Sequence, residues 1–237
     1  MLIEGLKNKK ILIVVAHPDD EILGLGATMN YLINNFNIYT KVVILGEGIT
    51  SRSDQRDIKL WENELKLHKQ NIYNAQNKIG YHEVSIYDFP DNRFDSVNLI
   101  DIIKIIEQEK KSFNPDVIFT HHNGDVNIDH QRTFEAVITA CRPMKDENVK
   151  TIFTFETASG TEWRASNDPR HFIPNFFVSF DSENLEKKIE AMECYEFEKR
   201  EFPHPRSPEA LKIQAQKWGV TIGRKFAEAF YLVRSIS

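Results

Sequence analysis

The run Ile11-Leu12-Ile13-Val14-Val15 is apolar at every position and mostly β-branched. A strand with one face in water alternates apolar and polar residues, so an unbroken run belongs to a strand covered on both faces. Similar runs occupy residues 41–45, 84–89, 117–120, 151–155 and 176–180. Amphipathic stretches lie between them. Leu99, Ile102, Ile103 and Ile106 mark one helix, and Leu185, Ile189 and Met192 mark another, which Asp181 or Ser182 is placed to cap. Long polar helix-like sequence fills residues 55–78, and Pro203, Pro205 and Pro208 punctuate a loop before a last helix near residues 209–217. Covered parallel strands need helical crossovers. The alternation therefore predicts an α/β fold: a Rossmann-like three-layer α/β/α arrangement with a mostly parallel central sheet. With no internal repeat or linker, residues 1–237 read as a single domain.

Apolar residues make up 41% of the chain and charged ones 27%, the balance of a protein with a sizeable core and a polar surface. The net charge of −5 argues against nucleic acid as a partner. The three lysines within residues 7–10 read as a solvated lead-in to the first strand. The first residues lack the apolar core of a signal peptide, and no apolar run reaches the ~18 residues of a membrane span. Cys141 and Cys194 stand alone in apolar helical patterns, as free core thiols do. A cytoplasmic compartment is the expectation. The oligomeric state stays open, a homo-oligomer included.

Directly behind the first run stands Ala16-His17-Pro18-Asp19-Asp20-Glu21. Open α/β sheets bind ligands at the carboxyl ends of their strands, and imidazole and carboxylate are donors that a catalytic zinc ion takes. Pro18 suits a helix entry. With a helix beginning near Asp19 or Asp20, the spacing of His17 and Asp20 lets both address one site. The plainer alternative is that the two aspartates only cap the helix. A second cluster, from Thr120 to His130, follows the run at 117–120. His130 is the preferred third ligand because it begins a helix, and Asp129 beside it is placed to fix the imidazole tautomer. Read by itself, this stretch is equally a polar loop with an aspartate cap. Together the clusters offer two local ligands and one distant one, a common layout for a catalytic zinc site with its fourth position open.

Arg52 and Arg56 lie after the second strand, Asp91, Asn92 and Arg93 after the third, and Arg206 in the proline loop. Forked guanidinium donors suit phosphate or sugar hydroxyls. Arg52, Arg93 and Arg206 are the candidate substrate-binding residues, with a solvated loop as the alternative for each. Trp163 and Arg164 are either pocket walls or packing residues. Gly24-Leu25-Gly26 lacks the third glycine of a dinucleotide fingerprint and follows three carboxylates that would repel a pyrophosphate. Close packing of helix on sheet is the reading kept.

His17-Pro18-Asp19-Asp20-Glu21 with Gly24, Gly26 and Ala27 behind it, and Asn127-Ile128-Asp129-His130 later, resemble the LmbE-like (PIG-L-like) family over most of the chain. Gly46-Glu47-Gly48, Ser51-Arg52-Ser53, His204-Pro205-Arg206-Ser207 and Ala227-Glu228-Ala229-Phe230 add to the likeness. Members are zinc-dependent N-deacetylases, mostly of N-acetylglucosamine-type sugars. The resemblance implies zinc held by His17, Asp20 and His130, and Asp19 as general base. Chemistry supports that last role, because a carboxylate beside two ligands can accept a proton from the attacking water. The chain departs from part of the family at Asn127, where some members carry a histidine. An amide can donate to an oxyanion but cannot deliver a proton. The acid is then Asp19 once protonated, or His204 or His122, with His204 preferred for its familial loop.

The activity implied is hydrolysis of the acetamide of an N-acetylated sugar, nucleotide sugar or related glycoside, giving acetate and a free amine. Two alternatives stay open: a zinc amidase acting on another amide-linked sugar conjugate, and a sugar- or nucleotide-binding module without turnover. Asp19 opposes the second, since a scaffold needs no base. Zn2+ is the implied metal, although a His-Asp-His site with open positions also takes Fe2+ or manganese.

Overall fold

A computed structural model describes residues 3–236. Strands β1 (Lys10–Val15), β2 (Tyr39–Gly46), β3 (Glu83–Phe89), β4 (Val117–His121) and β5 (Thr151–Phe155) are parallel and lie in the order 3-2-1-4-5. A last strand, β7 (Ala227–Ser235), pairs antiparallel with β5 on one side and with β6 (Phe176–Ser179) on the other. Helices α1 (Asp20–Phe36), α2 (Glu62–Ile79), α3 (Leu99–Phe113), α4 (Ile128–Ala140), α5 (Ser182–Glu193) and α6 (Pro208–Thr221) cover the sheet. This is the Rossmann-like, mostly parallel three-layer arrangement that the alternation predicts. Among the described residues, no helix is long and apolar enough to cross a membrane.

The unbroken apolar run of β1 has a simple cause. Ile11, Ile13 and Val15 join a core with Ile22, Leu25 and Met29 of α1 and Ile72 and Ile79 of α2. Leu12 and Val14 join the opposite core with Ile102 and Ile106 of α3 and Val137 of α4. Each such side chain contributes roughly 1.5–3 kcal/mol on leaving water. Gly24 belongs to the same packing. An ideal Cβ there would lie 2.1 Å from the Phe155 ring, so a side chain would drive α1 off β5.

Two elements differ from the expectation. The long polar helix begins only at Glu62, because the Asp57 carboxylate accepts the Lys59 and Leu60 amides at 3.0 and 3.1 Å and forms a local turn instead. Strand β7 is not among the runs read as strands, although Ala229–Val233 is apolar throughout, with Glu228 just ahead of it. Glu228 is buried, accepts the Lys188 ammonium at 2.6 Å and the Thr28 amide at 2.8 Å, and so ties β7 to α5 and α1. Cys141 and Cys194 are free.

Candidate metal centre and reaction cavity

In the order 3-2-1-4-5 the winding of the sheet reverses between β1 and β4, the point at which open sheets bind ligands. β1 runs out into His17–Asp20 and β4 into the segment leading to His130, so topology alone brings the two clusters together. Single donor atoms of His17, Asp20 and His130 all lie within 4.8 Å of one another. Asp20 Oδ2 stands 3.6 Å from His17 Nδ1 and 3.4 Å from His130 Nε2. Zinc ligands at about 2.0–2.2 Å in tetrahedral array are about 3.4 Å apart. The three residues therefore fit such an ion.

The far edge of each imidazole is held by a carboxylate. His17 Nε2 meets Asp129 Oδ2 at 2.8 Å, and His130 Nδ1 lies 3.0 Å from Asp125 Oδ2. This leaves His17 Nδ1 and His130 Nε2 for a metal, the arrangement that fixes ring orientation in metal sites. Asp129 thus serves His17, whereas the sequence reading placed it against His130. Asp129 Oδ1 accepts the Phe94 amide at 2.8 Å, and Asp125 accepts the Asn127 amide at 2.8 Å and the Thr161 hydroxyl at 2.7 Å.

Electrostatics follow from this crowding. Burial opposes charge on Asp20, but the His130 and His121 imidazoles hold its carboxyl well below the usual carboxylate range. Burial would likewise discharge His130, yet Asp20 and Asp125 override it and raise its pKa well above the ordinary imidazole value. The site thus stabilises positive charge among its carboxylates. His121, fully buried, stacks on His130 with ring centroids 3.9 Å apart. Its Nε2 accepts the Ala16 amide at 2.9 Å, so its proton sits on Nδ1, 3.0 Å from the Thr157 hydroxyl. Burial pushes its pKa down to about 4. With both nitrogens engaged, His121 braces His130 and offers no free donor atom to the cluster.

Asp19 is the N-cap of α1 at φ 102°, a left-handed conformation that non-glycine residues rarely adopt and that recurs at functional sites. Its side chain makes no cap bond; Oδ2 accepts Arg206 Nη1 at 3.0 Å. Burial pushes the Asp19 carboxyl well up, against the pull of Arg206. Glu21 turns inward, accepting the Tyr195 hydroxyl at 2.6 Å and the Asp19 amide at 3.1 Å, and burial raises it to about 7. It supports the turn that presents Asp19.

These groups open into a cavity of about 230 Å³. Asn127, His204, Arg52 and Arg206 line it together with His17, Asp20 and His130. Arg206 Nη1 and Arg52 Nη2 both donate to Glu198, each at 2.6 Å, so Glu198 joins the two arginines. Asn127 Oδ1 caps α4 by accepting the Asp129 amide at 2.8 Å, while its Nδ2 donates to Asn92 at 3.0 Å. His204 Nδ1 accepts the Arg206 amide at 3.2 Å, leaving the N–H of the neutral ring on Nε2. Burial, then Arg206 and Arg200, keep that ring's pKa low.

Other candidates fall elsewhere. Arg93 is not in the cavity wall, and its guanidinium donates to the Asp54 carbonyl. His122 Nε2 lies 2.8 Å from the Arg170 carbonyl, outside the cavity. Arg56 is spent on both oxygens of Glu47, at 2.8 and 2.9 Å. Trp163 is 58% exposed and is not in the cavity wall, so it fills neither of the roles considered for it. Asp125, His121 and Glu198 were not singled out by the sequence reading. For Asp125 the available signal was a carboxylate five positions before a helix-initial histidine; Glu198, in a charged segment, offers none.

A Rossmann-like sheet thus carries a His-Asp-His cluster and a buried carboxylate at its switch point. The profile of the PIG-L family, described as GlcNAc-PI de-N-acetylase, matches residues 12–141, more than half of the chain. The chain belongs to that family. It is 28% identical over 197 residues to an uncharacterized deacetylase, YaiS, of Escherichia coli (strain K12), covering 81% of this chain and 93% of YaiS. Two solved structures share its fold. N,N'-diacetylchitobiose deacetylase from Pyrococcus horikoshii superposes with a TM-score of 0.74 at 16% identity over 95% of this chain and 84% of its own. GalB, a 4-carboxy-2-hydroxymuconate hydratase from Pseudomonas putida KT2440, gives 0.74 at 17% identity over 97% and 98%.

Proposed function

We propose that this chain is a zinc-dependent N-deacetylase that releases acetate from an N-acetylated sugar, nucleotide sugar or related glycoside. The single observation carrying the reading is the Asp19 carboxylate, buried in the same cavity as a His17-Asp20-His130 set with zinc-like donor spacing. Family membership and the deacetylase relatives support it. Bound zinc supplies a lowered water pKa, about 7, and polarises the acetamide carbonyl.

The remaining work falls to side chains. Asp19 accepts the proton of the attacking water as oxygen adds to the carbonyl carbon. Arg206 holds one of its oxygens and so sets the direction of the other. The Asn127 amide is the side-chain donor nearest in kind to an oxyanion partner. As the C–N bond breaks, the nitrogen takes the proton that Asp19 accepted, and acetate and an amine leave. The His204 Nε2–H, on a neutral ring, can donate a hydrogen bond there but not the proton. Arg52 and Arg206 offer donors to the sugar hydroxyls. No part is assigned to Arg93.

The test is a metal assay on purified protein followed by an acetate-release screen across N-acetylated sugars and nucleotide sugars. Asp19→Asn, which keeps the left-handed turn accessible, is expected to retain zinc and lose acetate release, whereas His17→Ala loses both. No acetate from any substrate would overturn the reading in favour of an amidase or a binding module. Because the same fold also carries a hydratase, acetate itself must be the readout.

A further inference from the structure

A second cavity, of about 150 Å³, lies between α2 and the ends of β2 and β3. Ile58, Leu65, Ile72 and Ile86 form its walls, and His68 lies among them. His68 is 2% exposed, and among the described residues neither ring nitrogen has a hydrogen-bond partner. Its ring packs edge-on against Tyr195 and Phe197. A buried, unpaired polar atom costs roughly 1–3 kcal/mol, and most such groups are paired in folded proteins. Burial pushes this imidazole down to about 4, so it is neutral and offers one N–H and one lone pair.

We propose that this cavity binds a neutral ligand with an apolar body and a hydroxyl group that pairs with His68 once the imidazole, both of whose nitrogens are sealed off as the ring lies, turns toward it. A hydroxyl both donates and accepts, so it satisfies whichever nitrogen it meets. The aliphatic walls select an apolar body. Charged ligands are disfavoured, because Glu47 is already spent on Arg56 and on the Thr50 hydroxyl at 2.6 Å, while Asp88 and Lys69 at the margin offset each other. The cavity adjoins the reaction site. Pro18 lines both, and Gly48, in the wall of the reaction cavity at φ 65°, sits so close to His68 that an added Cβ would lie 3.1 Å from Nε2. The ligand is either the apolar, hydroxyl-bearing part of a glycoside substrate or a separate molecule, and the binding claim does not depend on the deacetylase reading.

The experiment uses histidine-15N-labelled protein and hexan-1-ol as probe. Hexan-1-ol is expected to move the His68 ring resonances in the unaltered protein, to leave them still in Leu65→Trp, whose indole fills the cavity, and to bind about fivefold more weakly to His68→Phe by loss of one hydrogen bond. Unmoved resonances at saturating alcohol, as expected if His68 pairs only with water, would overturn the proposal. So would a response that survives Leu65→Trp. Comparing KM for hexyl and methyl glycosides of N-acetylglucosamine separates the two sources. A hexyl advantage lost in Leu65→Trp identifies the substrate, and no advantage beside intact hexan-1-ol binding identifies a separate molecule. Acetate release from neither glycoside would refute the deacetylase reading and leave the binding result standing.

Discussion

Oδ2 of Asp129 lies 2.8 Å from Nε2 of His17, although His130 is its neighbour in sequence. Consecutive helical residues point about 100° apart, so Asp129 and His130 cannot share one direction. Their divergence is useful. His130 turns toward Asp20, and Asp129 reaches across to orient the ligand from the other strand end.

Asp129→Asn keeps an acceptor for His17 but removes the charge that raises its basicity. Metal affinity is expected to fall about 10–100-fold, the usual effect of altering such a partner. Competition with a chromophoric chelator measures it, with thermal unfolding as a check that the fold survives. Unchanged affinity would show that the contact does not tune the site.

The covered, mostly parallel sheet and the meeting of both clusters were legible because continuous apolar runs report two-sided burial and because strand ends fix where loops gather; the strand order came only with the structure. His17, Asp20, Asp19 and His130 were legible for that reason. Strand β7 was missed although Ala229–Val233 is itself an apolar run; what the sequence does not carry is that Glu228 ahead of it is buried against Lys188 from a different element. The carboxylate of Asp125 and the bracing ring of His121 depend on which neighbour each side chain faces, and residue type alone does not carry that direction. Arg93 illustrates the converse: the right residue after the right strand, turned toward Asp54.

One substitution can separate the cap that Asn127 provides from the oxyanion role proposed for it. Its Oδ1 caps α4, worth about 1 kcal/mol, and its Nδ2 is the donor available to a developing oxyanion. Asn127→Ser keeps a capping oxygen and deletes the amide donor. The expected outcome is near-native stability with kcat reduced about 100-fold and KM little changed. An unaltered kcat would remove Asn127 from the reaction.

Gly24→Ala sets helix propensity against packing. Alanine gains about 1 kcal/mol of propensity in a helix. The added Cβ, however, would stand 2.1 Å from the Phe155 ring in a filled core, and overpacking costs typically 1–3 kcal/mol or more. Packing is expected to win, giving a net loss in urea unfolding. In the Gly24→Ala, Phe155→Leu double variant the clash disappears, so the two costs should fall short of additivity. Strict additivity would mean that α1 simply shifts away.

His68 should make stability depend on pH in mildly acidic solution. Its folded pKa, pushed down by burial to about 4, lies below the 6.5 of an unperturbed histidine. Between those values the unfolded chain binds a proton that the folded chain refuses. Stability is therefore unaffected above about pH 6.5 and falls as the pH drops toward 4. At 1.36 kcal/mol per pKa unit, the loss approaches about 3 kcal/mol near pH 4. Other groups titrate over the same range, so the comparison is with His68→Phe. Urea midpoints measured from about pH 7.5 down to about 4.5 should converge on, or fall below, those of the variant as the pH decreases. Parallel curves would mean that His68 takes up its proton without leaving its buried position, and that the cavity beside it admits enough water to solvate the charge.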